Sequence, residues 1–158
     1  MEIFTLPAAP VAAALIRAAM AEGRLGFQNP ALAGDGSAGG RCAYDYGTLK
    51  DGKRLACAVG VLLPVDVARR FDSEASNGNI ATLFAHKWVC LEDGRLADYD
   101  LYRDVQNAHD DAVCASVRLH HYATGYRLSV PSEREEAADN LAQALAVFER
   151  RLSAMEDA

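Results

Sequence analysis

The sequence predicts a mostly helical α+β fold, a single domain over residues 1–158 with one β-hairpin, and three observations carry that prediction. Thirty of the 158 residues are alanine, the strongest helix former, which favours helices packed closely on small side chains over a bulky β-core. Two long segments in the second half repeat their apolar positions with the helical period. Asp51–Gly52, between two apolar-containing runs, is a strong short-range hairpin signal. At 17.0 kDa the chain is long enough to bury roughly two thirds of its unfolded surface without staples.

Pro7 and Pro10 open a first helix whose apolar positions Val11, Leu15, Ile16, Ala19 and Met20 have helical spacing, and Gly23 stops it. Six glycines between residues 23 and 40, with Asn29–Pro30 and the run GDGSAGG, predict a mobile loop over about 23–40. A phosphate cradle would need a Lys-Ser or Lys-Thr pair after that run, and Arg41–Cys42 stands there instead. RCAYDY and RLACAVGVLL flank TLKDGK as the two arms of a hairpin near residues 41–63. Cys57 then lies on a strand entering the core, Gly60 allows close backbone approach and Pro64 ends the strand.

VDVARRF predicts a short helix, which SEASNGN breaks. A further helix is expected over residues 80–90, turning near Glu92–Asp93–Gly94. The longest periodic segment, residues 98–122, sets Leu101, Val105, Ala108, Ala112 and Leu119 on one stripe and Asp100, Asp104, Asn107 and Asp111 on another. An edge strand is expected over residues 127–130. Ser132 and Glu135 after Pro131 match a capping box, and Leu141, Leu145, Phe148, Leu152 and Met155 line one face of a closing helix.

The formal net charge of −6 argues against a general nucleic-acid binder, because little drives counterion release from phosphates. The acid is segregated: residues 1–91 carry nine basic and eight acidic side chains, residues 92–158 seven and fourteen. Cys42, Cys57, Cys90 and Cys114 are dispersed with no C-x-x-C pair, which predicts reduced thiols rather than a disulfide framework. The small apolar run at residues 8–16 is interrupted by Arg17 and falls far below membrane-spanning length. The expectation is a soluble, cytoplasmic protein without cofactor or membrane attachment.

Four groups could carry chemistry. Cys57 with His109 as base would make a cysteine hydrolase, provided the thiolate is stabilised and the imidazole lies within hydrogen-bond reach. Asp110 adjoins His109 but is turned 100° from it on a helix, so it is expected to point away. His86 and Cys90, at i, i+4 on the expected helix, with Cys42 and Cys57 across the hairpin, form a candidate zinc set, although such sites normally show tight ligand pairs. His120–His121 suits the negative end of the long helix. Asp100, Asp104 and Asp111 gather on one face opposite the core, either as a solvated surface or as a docking face for a basic partner.

The hairpin region also resembles a group of small proteins found in bacteriophages and prophages. The resemblance rests on Cys42–Ala43–Tyr44, the Asp51–Gly52 turn, Cys57 to Gly60, Leu62–Leu63–Pro64 and Asp66, with His109–Asp110 matching a later His-Asp. It departs in Asp45, where a basic residue is common, and in Val65, inserted before the acid. It implies a bacterial-host setting and names no activity. Taken with the acidic stripe, it leads to the expectation of an accessory protein that binds a host or phage protein with a basic surface.

Overall fold

The computed structural model describes residues 3–34, 43–74, 79–94, 96–124 and 130–158. Within them the chain is α+β and mostly helical. Strand β1 (Phe4–Leu6) leads into α1 (Ala9–Ala21), a 3₁₀ turn at Gly26–Gln28 and the short α2 (Pro30–Ala33). Strands β2 (Gly47–Thr48) and β3 (Arg54–Leu55) precede a second 3₁₀ turn at Gly60–Leu62, then α3 (Val65–Glu74) and α4 (Ile80–Ala85). Strand β4 (Val89–Leu91) and a turn at Glu92–Gly94 precede the two long helices, α5 (Leu96–Ala123) and α6 (Pro131–Glu156).

The long helices pack on one another; the 3₁₀ turn at Gly26–Gln28, α2, α4 and β4 pack on α5, and α1 packs mainly on α6. The buried arc of α5 is wider than the expected stripe: Tyr102, Val105, Ala108, His109, Ala112, Val113 and Val117 are all buried, while Leu101 and Leu119 are half-buried. Phe148, Leu152 and Met155 of α6 are buried as their spacing predicts. The capping box is not formed. Val130 is the N-cap and Pro131 the first helical residue, so Ser132 already lies inside the helix and caps nothing.

On α1 the expected apolar stripe is only partly buried. Val11 and Leu15 are 53% and 49% exposed, and the helix turns its alanines inward instead: Ala9, Ala12, Ala13 and Ala19 are buried with Ile16. Small side chains let this helix approach its neighbours closely, and that close approach outweighs burial of two larger residues. The first N–H groups of α1 are satisfied from across the fold. Asp98 Oδ2 accepts from Ala9 N at 3.3 Å, Glu92 Oε2 from Ala8 N at 3.0 Å, and Tyr102 donates its hydroxyl to the Pro7 carbonyl at 2.6 Å. At the other end, Arg17 reaches Glu149 and Glu156 of α6, each at 2.6 Å.

Within residues 23–34 of the expected loop the chain forms the 3₁₀ turn and α2. Gly26 is buried where a Cβ would come within 2.7 Å of the Tyr46 ring, so glycine serves close approach there. The glycines at 36, 39 and 40 lie outside the described residues. The hairpin exists around Asp51–Gly52, but its ladder is short: Gly47 pairs with Leu55 and Thr48 with Arg54. Cys57 has already left the strand.

The helix expected over residues 80–90 ends at Ala85. Lys87 adopts a left-handed φ of 58°, and β4 then pairs in parallel with β1, Phe4 against Val89 through Leu6 against Leu91. The edge strand expected over 127–130 lies outside the described residues except for Val130, the N-cap of α6.

The Arg17 ion pairs hold the Glu156 carboxyl below its usual range, chiefly through the hydrogen bond from the guanidinium. A carboxylate lowered in the folded state contributes stability that is present above its unfolded value and lost as pH falls through the folded one. Arg17→Met should therefore lower stability at neutral pH, and the difference from the native protein should shrink on acidification through the carboxylate range, measured by urea unfolding across pH.

Candidate functional site

The sequence points to the segment ACAVGVLLP, and the fold ties it in from every side. Ala56 bridges back to Leu25, its N–H donating to the Arg24 carbonyl and its own carbonyl accepting from Gly26 N, both at 3.0 Å. The chain then turns: Val61 N donates to Cys57 O at 3.0 Å and Leu62 N to Val59 O at 3.0 Å. Gly60 is the tightest point. A Cβ there would overlap the Tyr44 carbonyl oxygen and crowd Cys57 Sγ at 3.1 Å. Arg54 closes the turn, donating from Nη2 to the carbonyls of Gly60 at 2.6 Å and Leu63 at 3.0 Å.

From the other side α5 offers Gln106. Its Oε1 accepts from Val59 N at 2.9 Å and its Nε2 donates to Asp110 Oδ1 at 3.0 Å. Asp110 in turn lies 3.4 Å from His109 Nδ1. This corrects the expectation that Asp110 points away. Successive residues do diverge by 100°, but side chains lean toward the preceding turn, and Gln106 four residues earlier holds the carboxylate there. His109 is fully buried between Phe27 and Phe148, ring centroids 5.6 and 6.0 Å away.

Cys57, Gln106 and His109, all buried, thus form one neighbourhood with the half-buried Asp110. Its chemistry is that of a closed core. Cys57 is fully buried, and burial pushes its thiol well above the ordinary range, with the Asp110 charge adding to the effect and the Gly60 N–H and Gln106 opposing it. A nucleophile needs the thiolate and a path for substrate. His109 Nδ1 faces Asp110, and its Nε2 is buried with no hydrogen-bond partner among the described residues, so neither nitrogen engages the thiol. The thiol therefore reads as a small apolar residue that also accepts the Gly60 N–H at 3.2 Å.

Among the described residues the candidate zinc ligands His86, Cys90 and Cys57 are not brought together. His86 caps the end of α4, Cys90 sits on β4 with Sγ 3.4 Å from Thr5 Oγ1, and Cys57 is buried beside α5. Cys42 lies outside the described residues. Among the described residues no three His, Cys, Asp or Glu side chains form a group that could hold a metal ion. The i, i+4 relation of His86 and Cys90 needed a helix that Lys87 ends.

The acidic stripe does lie on one side of α5. Asp100 and Asp111 are exposed and Asp104 half-buried. Arg103 moderates it, pairing with Asp100 and with Asp104 at 3.2 Å each. His120 and His121 fall in the last turn of α5, both half-buried, where positive charge suits the helix dipole. Gln106 and Arg54 are the residues that sequence reasoning missed. The Gln106 and Asp110 spacing of four on a helix is a signal that could have found the first.

No known family, curated protein or solved structure matches this chain. No helix among the described residues is long and apolar enough to cross a membrane.

Two outcomes follow from the closed turn. Gly60→Ala forces the Tyr44 carbonyl to move and should cost at least about 3 kcal/mol, read from thermal or urea unfolding. Cys57→Ser, a hydroxyl buried in place of a thiol, should cost about 1–3 kcal/mol and Cys57→Ala less. In the native protein a thiol reagent should modify the exposed Cys90 and Cys114 before Cys57, which should react only at the rate of unfolding.

Proposed function

We propose that the protein is an accessory protein of bacteriophage or prophage type that works by docking, through the acidic side of α5, onto a host or phage protein with a basic surface. Inhibition of a host defence or nucleic-acid-processing enzyme, in the cytoplasm of a bacterial host, is the specific role. The observation that carries this reading is the placement of Asp100, Asp104 and Asp111 on the side of α5 away from its buried arc. Such a face is spare as far as folding is concerned, and a surface of one sign steers an oppositely charged partner and raises its association rate.

Two features support docking over the hydrolytic alternative. The Cys57 thiol is enclosed and protonated, which suits packing better than covalent catalysis. Arg103 pairs that are exposed to solvent contribute little to stability, so Asp100 and Asp104 can exchange this partner for another at small cost. The resemblance of residues 42–66 to phage and prophage proteins supplies the setting.

The test is charge reversal. Changing Asp100, Asp104 and Asp111 together to Lys should alter folding stability by no more than about 1 kcal/mol. Against a partner captured from host lysate with the native protein, the variant should associate at least about tenfold more slowly at low salt, with a weaker salt dependence and a less altered dissociation rate. Unchanged association by a folded variant would reduce the stripe to a solvated surface.

A further inference from the structure

A cluster of aromatic and cationic side chains forms where α3, α4 and β4 meet. Phe71 is buried, and His86 and Trp88 both stand edge-on to it, with centroids at 5.8 and 6.1 Å and interplanar angles of 86° and 85°. The two rings stack on each other at 4.9 Å with 28° between their planes. Arg70 sets its guanidinium carbon 4.8 Å from the Trp88 ring centroid. Of the stacked pair His86 is exposed and Trp88 half-buried.

Between the stacked residues lies Lys87, exposed and held at φ 58°, the one non-glycine residue among those described with positive φ. That conformation costs a side-chain-bearing residue roughly 1–2 kcal/mol, and glycine is the usual occupant at the end of a helix. The strained turn is what brings His86 and Trp88, two residues apart, into register.

The geometry points to a nucleotide site, with the base as the next layer on His86 and the phosphate beside the Lys87 ammonium. Stacking on an aromatic platform contributes about 1–3 kcal/mol per base and tolerates any base, and the cation over the indole reinforces it. A single nucleotide fits the charge balance better than a polymer. The net charge of −6 repels an extended polyanion, whereas one phosphate monoester brings only about two negative charges. Of the neighbouring cations Arg69 pairs with Asp45 at 2.7 Å and Arg70 with Glu74 at 2.9 Å, and Lys87 is exposed. None of this rests on the acidic side of α5, so the two readings stand or fall separately.

Trp88 is the sole tryptophan, and its fluorescence reports the site directly. Titration of the full chain with adenosine monophosphate should give saturable quenching at millimolar concentration, adenosine should bind more weakly, and inorganic phosphate should have no effect. His86→Ala should weaken the monophosphate at least about tenfold, the loss of one stacked base. Lys87→Gly relieves the backbone and keeps the fold, and should bring the monophosphate to the level of adenosine. Quenching that stays linear in the monophosphate overturns the site, as does saturation that Lys87→Gly and a folded His86→Ala leave unchanged. Saturation by N-acetylphenylalanine but not by the monophosphate overturns it in favour of an aromatic, acidic peptide.

Discussion

The contact on which the rest of this structure depends is the one between the Gly60 backbone and the Tyr44 carbonyl, which leaves no space for a side chain. Around it the chain closes a small ring of bonds. Asp72 of α3 accepts from the backbone N–H groups of Tyr44 and Asp45 at 2.9 Å each, Arg54 grips the carbonyls of Gly60 and Leu63, and Gln106 takes the N–H of Val59. Buried backbone groups that would otherwise be orphaned are thereby satisfied without a long strand ladder. The two-residue hairpin could not stand alone. It is held because the segment before it is bonded to α3 through Asp72 and the turn after it to α5 through Gln106.

Helix α5 is the common partner of nearly everything else. Its first turns receive the start of α1 through Asp98 and Tyr102, its middle carries Gln106 and His109, and its length is matched by α6. Each polar link is modest by itself, about 1 kcal/mol net for an ordinary hydrogen bond. Broken from one side, however, each leaves a buried group unsatisfied, which costs more than the bond contributed. Burial of the Tyr102 phenol, which raises its ionisation above the ordinary value, reflects the same enclosure.

That enclosure divides the molecule functionally. Cys57 and His109 are enclosed in the core, and burial pushes the thiol well above its ordinary range. At the surface lie carboxylates along one side of α5 and, in the first half of the chain, Arg70 and His86 against Trp88. The segregation of acid into residues 92–158 is thus a property of two long helices. A partner would meet it as a surface of one predominant sign, moderated by Arg103.

The sequence by itself determined the class of fold, the two long helices and the turn at Asp51–Gly52. These follow from periodicity and from glycine's tolerance of positive φ, which are local properties. It also marked Gly60 as a place of close approach. Only the tertiary structure decided that α1 would bury Ala12 and Ala13 and leave Val11 and Leu15 in solvent, since helix separation depends on what stands opposite. The same holds for residues 86–91. Helical spacing of His86 and Cys90 was a fair local reading, but pairing of Val89–Leu91 with a strand more than eighty residues earlier supplies backbone bonds that no local pattern reveals. Asp110 shows the limit most sharply. Its angle on the helix was legible, whereas the direction of its carboxylate was set by Gln106, itself oriented by the backbone N–H of Val59 on a distant turn.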